Sequence, residues 1–117
     1  MPIALLDGPV IEAGESLSGP LDCTSGFPVR LTMPQPTDGW TPANLSFQIS
    51  TDGSWFNDLY TFDGEEVLIP CIPGVAVIIP PDTFKAAVFL KIRSGRSSDP
   101  IVQEGARTFA VAVQEWA

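Results

Sequence analysis

Five carboxylates fall within one short stretch of the chain: Asp52, Asp58, Asp63, Glu65 and Glu66. Paired carboxylates can hydrolyse a glycosidic bond when acid and base stand about 5–10 Å apart. Several oxygens in one defined loop can hold calcium. Neither chemistry suits these positions. Asp52 precedes Gly53 and Asp63 precedes Gly64, so both read as turn residues, and the other three read as solvated neighbours of those turns. Asp63-x-Glu65-Glu66 falls short of a defined calcium loop. The chain has no histidine, which removes a Ser–His–Asp triad and leaves a Cys or Lys nucleophile without an evident base. Cys23 and Cys71 lack CxxC spacing and do not make a zinc site. No glycine-rich loop leads into a helix to cradle phosphate. The sequence therefore names no catalytic residue, no cofactor-binding residue and no metal ligand, and the expectation is a protein that is not an enzyme.

The elements around these acids read as strands. Leu45, Phe47 and Ile49 alternate with Ser46, Gln48 and Ser50, the period of a half-buried strand. Thr51 to Ser54 supply a turn, and Trp55 to Tyr60 resume an aromatic strand that can fold back on the first. Asp63-Gly64 marks a second tight turn, with Val67 to Ile69 returning from it. Phe27, Val29, Leu31 and Met33 share one phase; Pro28 among them needs a position without a ladder partner. Leu17, Leu21 and Cys23 form a strand interrupted at Gly19-Pro20. Val75 to Ile79 is a continuous apolar run, which suits a strand buried on both faces. Pro80-Pro81 stops it, and Asp82 can cap one helical turn over Thr83 to Ala87. In Val88 to Ser94, Leu90 and Ile92 face inward while Lys91 and Arg93 face water. In Arg107 to Glu115, Phe109, Val111 and Val113 occupy one side. Ala110 and Ala112 mark the other side as covered too, by the second sheet or by another subunit. About eight short strands at this spacing predict an all-β, single antiparallel β-sandwich, jelly-roll or immunoglobulin-like. The predicted core is Phe27, Val29, Leu31, Leu45, Phe47, Ile49, Leu59, Val77, Leu90, Ile92, Phe109, Val111 and Val113.

The composition agrees. A chain of 117 residues with twelve prolines and ten glycines has room for one core and little room for long helices. Residues 1–117 form one domain in this reading, with 1–8 as an N-terminal arm or edge strand. The net charge of −8 and only six scattered Lys and Arg argue against nucleic acid and anionic membrane as partners. Met1 to Leu6 is a short apolar run without a basic start, so no secretory signal is expected. Folding in a cytoplasm favours two free thiols over a disulfide. Asn44-Leu45-Ser46 then reads as a strand start, not a glycosylation site.

Aromatic and apolar residues without a core position are what remains. Trp40, Trp55 and Trp116 do not all fit the core by phase. Trp40 sits in a proline-rich loop over residues 34–42, as a lid or as a contact. Trp116 lies close to the end of the sequence. Together with Ile3, Leu5 and Leu6 of the N-terminal run, they are the candidate partner contacts.

One resemblance follows from quoted residues. Leu45-Ser46-Phe47-Gln48-Ile49-Ser50-Thr51-Asp52-Gly53, followed by Phe56-Asn57-Asp58-Leu59-Tyr60, resembles a pattern in small virion proteins of tailed bacteriophages. Further pieces resemble that pattern in the same order: Ile11 to Ser18, Asp63 to Val67, Pro81 to Phe84, Phe89 to Gly95, Pro100 to Gln103 and Arg107-Thr108. The resemblance implies a non-enzymatic virion component, first a capsid decoration or cement protein, with head fibre, spike or connector as neighbouring roles. Its implied partners are the major capsid protein or other virion proteins, and its implied place is the virion, after synthesis in the host bacterial cytoplasm. The same hairpin resembles discoidin-like carbohydrate-binding sandwiches, which makes a carbohydrate-binding module the alternative. The apolar termini and the Ala110/Ala112 face lead us to expect a homo-oligomer, a trimer or another ring.

Overall fold

A computed structural model describes residues 3–33 and 40–116. The strands are β1 (Ile3–Ile11), β2 (Leu21–Asp22), β3 (Gly26–Thr32), β4 (Leu45–Ser50), β5 (Asn57–Asp58), β6 (Ala76–Ile78), β7 (Phe89–Arg96), β8 (Asp99–Pro100) and β9 (Arg107–Glu115). They form two antiparallel sheets packed as a sandwich. One has the order β1-β9-β3-β6; the other has the order β2-β7-β4-β5, with β8 hairpinned onto β7. With β8 set aside, the pairings β1–β9, β2–β7, β3–β6 and β4–β5 nest inside one another. This is the strand order of a jelly roll rather than of an immunoglobulin domain.

The core lies between the sheets. Phe47, Ile92, Phe109, Leu45 and Ile11 are fully buried there; the alternation of β4, β7 and β9 directs the first four inward, and Ile11 comes from the end of β1. Phe84 packs edge-on against Phe47, with ring centroids 4.8 Å apart. Gln103, also fully buried, ties both polar groups of Thr41 to the core: its Nε2 donates to Thr41 O, and its Oε1 accepts from Thr41 N. The same Nε2 donates to Ser94 Oγ at 2.8 Å. A buried amide is tolerable only when its donors and acceptor are satisfied in this way.

Several sequence expectations change. No helical turn forms over 83–87: Thr83 N bonds Pro80 O, and Ala87 N bonds Phe84 O, as two successive turns. Five residues are too few to nucleate a helix, and this path sends Phe84 and Ala87 into the core. The run 75–79 is not buried on both faces. It forms a three-residue edge strand on which Ile78 stands 75% exposed. A bulge in β3 between Pro28 and Arg30 accommodates the proline but shifts the phase. Phe27 therefore pairs with Gln114 on the outer side of the sheet, buried but not between the sheets. Residues 55–60 contribute only two residues of strand. Val67 to Ile69 is no strand; it returns to Leu45 through single bridges around the Asp63-Gly64 turn. Gly64 takes φ +82° there, which favours glycine. Of the two forms expected of the N-terminal run, arm or edge strand, Ile3 to Gly8 takes the second, as part of edge strand β1. Of the proline-rich loop, residues 34–39 lie outside the described residues.

Candidate interaction surface

Register shows which residues share the outer face of the four-stranded sheet. Leu5 pairs with Ala112, Ala112 with Arg30, and Arg30 with Ile78. One step along, Asp7 pairs with Ala110, Ala110 with Thr32, and Thr32 with Ala76. At the other end Ile3 and Phe27 both pair with Gln114. Directly opposed residues point the same way, so Ile3, Leu5, Ala110, Ala112, Ile78 and Phe27 form one apolar tract. Leu5 is 71% exposed and Ile3 51%. Ala112 lies buried between the larger side chains of Leu5 and Arg30. The small alanines of β9 thus face away from the other sheet, which leaves a flat outer surface with Arg30 at its middle. The Nε of Arg30 is buried and has no hydrogen-bond partner among the described residues.

Of the candidate contact residues, Ile3 and Leu5 meet on this tract. Leu6 points inward and packs against the core. Trp116 sits at the tract's end, 5.0 Å from the Phe27 ring between centroids, and its Nε1 donates to Thr24 O at 3.1 Å. It is 45% exposed and roofs Phe27. Trp40 is half-buried and stands edge-on to Phe109 at 6.5 Å, as a lid on the core. Trp55 is 80% exposed on the opposite sheet, just beyond a turn in which Asp52 Oδ1 accepts from Ser54 N and Trp55 N. Those bonds hold the Asp52 carboxyl below its ordinary pKa, Trp55 N contributing most. The six residues are therefore not one site. Ile78 was missed because β6 read as a buried strand, and Arg30, on the side of β3 opposite Leu31, had no local signal joining it to Leu5 and Ile78.

The outer face of the five-stranded sheet is ionic by contrast. Arg93 does not face water; its side chain is 6% exposed. Its Nε donates to Ser46 Oγ at 2.8 Å, its Nη1 to Asp58 Oδ1 at 2.9 Å and its Nη2 to Glu66 Oε2 at 3.2 Å. Both Glu66 oxygens also accept from Ser97 N. Asp58 and Glu66 are thus counter-ions of a covered guanidinium, not solvated turn acids. Beside them Lys91 Nζ lies 4.3 Å above the Phe56 ring. Two clefts of 560 and 500 Å3 flank the 59–69 segment and share Tyr60, Glu65, Glu66 and Leu68. Phe62 projects fully into solvent there. Cys23 and Cys71 are free thiols. Burial, then the charge of Asp22, pushes Cys23 up to about 12, and burial pushes Cys71 up to about 11. Among the described residues no group of three or more His, Cys, Asp or Glu side chains is arranged to hold a metal ion, and no helix is long and apolar enough to cross a membrane.

Comparison of the chain with protein-family models, with curated proteins and with solved structures finds no match to any of them. What the geometry defines is a class: a jelly-roll β-sandwich with one apolar outer face and one ionic outer face.

Proposed function

We propose that this chain is a non-enzymatic structural component of a tailed-phage virion, a capsid decoration or cement protein that docks on the assembled head. The observation that carries this reading is the outer face of the four-stranded sheet. Leu5, Ala112, Arg30 and Ile78 lie in register across all four strands, and Leu5 and Ile78 leave the row open to solvent at both edges. Contiguous exposed apolar surface of this kind marks a protein contact. The buried, unpartnered Arg30 Nε gives the tract a polar centre that a carbonyl or carboxylate of the capsid protein satisfies on docking. Jelly rolls occur in capsid proteins and in lectins alike, so the fold by itself favours neither reading.

The reading predicts a major capsid gene among the neighbours of this one, and heads assembled from that gene supply the test. The wild-type chain cosediments with such heads at a fixed ratio, and the Leu5→Lys/Ile78→Lys chain, folded by circular dichroism, does not. Cosedimentation that survives the double substitution, or its absence for the wild type, overturns the reading. A carbohydrate-binding role, in a module or in a spike used for host adsorption, has its own observation in favour: Tyr60 and Phe62 stand exposed on a cleft, and Trp55 is exposed just beyond the Asp52 turn. Specific glycan binding that is lost on Trp55→Ala supports that role instead.

A further inference from the structure

Four strands end the two sheets: β1 and β6 in one, β2 and β5 in the other. Three of these edges carry the features that keep sheets from adding strands. β2 and β5 have two residues each. β6 has three and lies between Pro73 and Pro80. β1 is different, with nine residues. Its second half is interrupted by the bulge at Gly8-Pro9, but Ile3 to Asp7 keeps an unbroken register with β9. That half contains no proline and no lysine, and among the described residues no strand pairs with its other side.

We propose that this half-strand pairs with the same half-strand of a second copy, antiparallel about a two-fold axis, so that the two four-stranded sheets become one continuous sheet. The occupant follows from the edges themselves. A head-to-tail ring built by strand pairing needs β1 to meet a different edge, and the other edges offer three residues at most. Among the described residues the one edge of matching length is another β1, and like-to-like pairing closes as a dimer. A two-fold centred on Leu5 sets Leu5 opposite the partner's Leu5, Ala4 opposite the partner's Leu6 and Ile3 opposite the partner's Asp7. No like charges are opposed. Charge favours the same approach. The chain carries −8, yet among the described residues the strands of this sheet turn two charged side chains outward, Asp7 and Arg30, of opposite sign. Two acidic copies meet here without the repulsion they meet elsewhere. The joined tract runs from Ile78 through Leu5 to its mirror image. Strand pairing over this length buries less than the roughly 800 Å2 per partner of a standard interface, so the dimer depends on concentration. The inference goes beyond the virion reading and does not depend on it.

Sedimentation equilibrium of the full chain, from low micromolar to near-millimolar, tests it. The expected result is a monomer passing to a species of twice 12.5 kDa. Leu5→Lys weakens that association by about tenfold or more, while Ile78→Lys, on the same face but the far edge, leaves it nearly unchanged. Amide exchange at Ile3 to Asp7 slows as concentration rises, a readout that does not depend on any variant. Circular dichroism of both variants confirms the fold, and a variant that fails it is replaced by Leu5→Thr with Ile78→Thr. A monomer throughout, a trimer or larger ring, or a dimer equally sensitive to Ile78→Lys overturns the proposal. So does association that appears only with a different protein.

Discussion

Replacing Arg93 by Ala removes the centre of the ionic network on the five-stranded sheet. Three donors are lost at once, to Ser46, Asp58 and Glu66. The consequences differ by acceptor. The Glu66 side chain is 5% exposed and that of Asp58 39%. Glu66 is therefore left as a buried carboxylate whose remaining donor is Ser97 N, whereas Asp58 recovers water. Breaking a buried pair from one side costs about 3–5 kcal/mol, and an exposed partner adds under about 1 kcal/mol. We expect Arg93→Ala to lose about 3–5 kcal/mol, Glu66→Ala slightly less and Asp58→Ala under about 1 kcal/mol. Against a total stability of about 5–15 kcal/mol for a domain, the first change brings the chain close to unfolding. Arg93→Met with Glu66→Leu removes both charges and should recover most of the loss, because a buried pair contributes little net against apolar groups of similar volume. Urea denaturation, read as the midpoint at constant slope, supplies all four values. The reasoning fails if Asp58→Ala costs as much as Glu66→Ala, or if the doubly apolar variant is no more stable than Arg93→Ala.

Phe47, fully buried and packed edge-on against Phe84, should cost about 3–5 kcal/mol on change to Ala; a loss under about 1 kcal/mol in urea would show that it is not central. Cys23 and Cys71, with folded pKa values of about 12 and about 11, remain protonated at neutral pH; buried Cys23 should react with a disulfide reagent only as fast as the chain opens, and half-buried Cys71 faster than Cys23 but slower than a free thiol. Both pKa values are raised, so the stability they contribute is complete below the ordinary thiol value of 9.0 and falls as pH rises toward the folded values. Melting temperatures through that alkaline window check the sign. Asp52 has the opposite sign: its folded pKa is lowered by Trp55 N and Ser54 N. Its contribution is present above the unfolded value of 3.8 and disappears as pH falls below it. Asp52→Asn should flatten the acid limb of the melting curve by lowering the neutral range, and leave the melting temperature well below pH 3.8 nearly unchanged.

The parts of the fold that were legible are those where a single period runs uninterrupted. β4, β7 and β9 were readable because each alternates over six or more residues and each lies in the interior of its sheet. β6 was misread because an apolar run does not say whether its outer side is covered, and Ile78 faces solvent. Pro28 reads as a residue that needs a position without a ladder partner, but the phase shift of the bulge that follows it has no local signal, so Phe27 is assigned to the wrong side of the sheet. Arg93 read as solvent-facing because alternation gives the face and not the cover. The cover comes from Glu66, which the sequence presents as a solvated neighbour of the Asp63-Gly64 turn. The candidate surface was half legible for the same reason. Ile3 and Leu5 carry it on one strand, but joining them to Ala112, Arg30 and Ile78 required the register of four strands, which no local pattern contains.

Hydrogen exchange of the chain free and in its assembled state, mapped by peptide, tests the central claim most directly. The account predicts that protection on assembly concentrates in residues 3–7 and 76–78, along the apolar outer face, and leaves residues 55–66 unchanged. Protection centred on Trp55, Tyr60 and Phe62, with residues 3–7 and 76–78 exchanging as in the free chain, would contradict it.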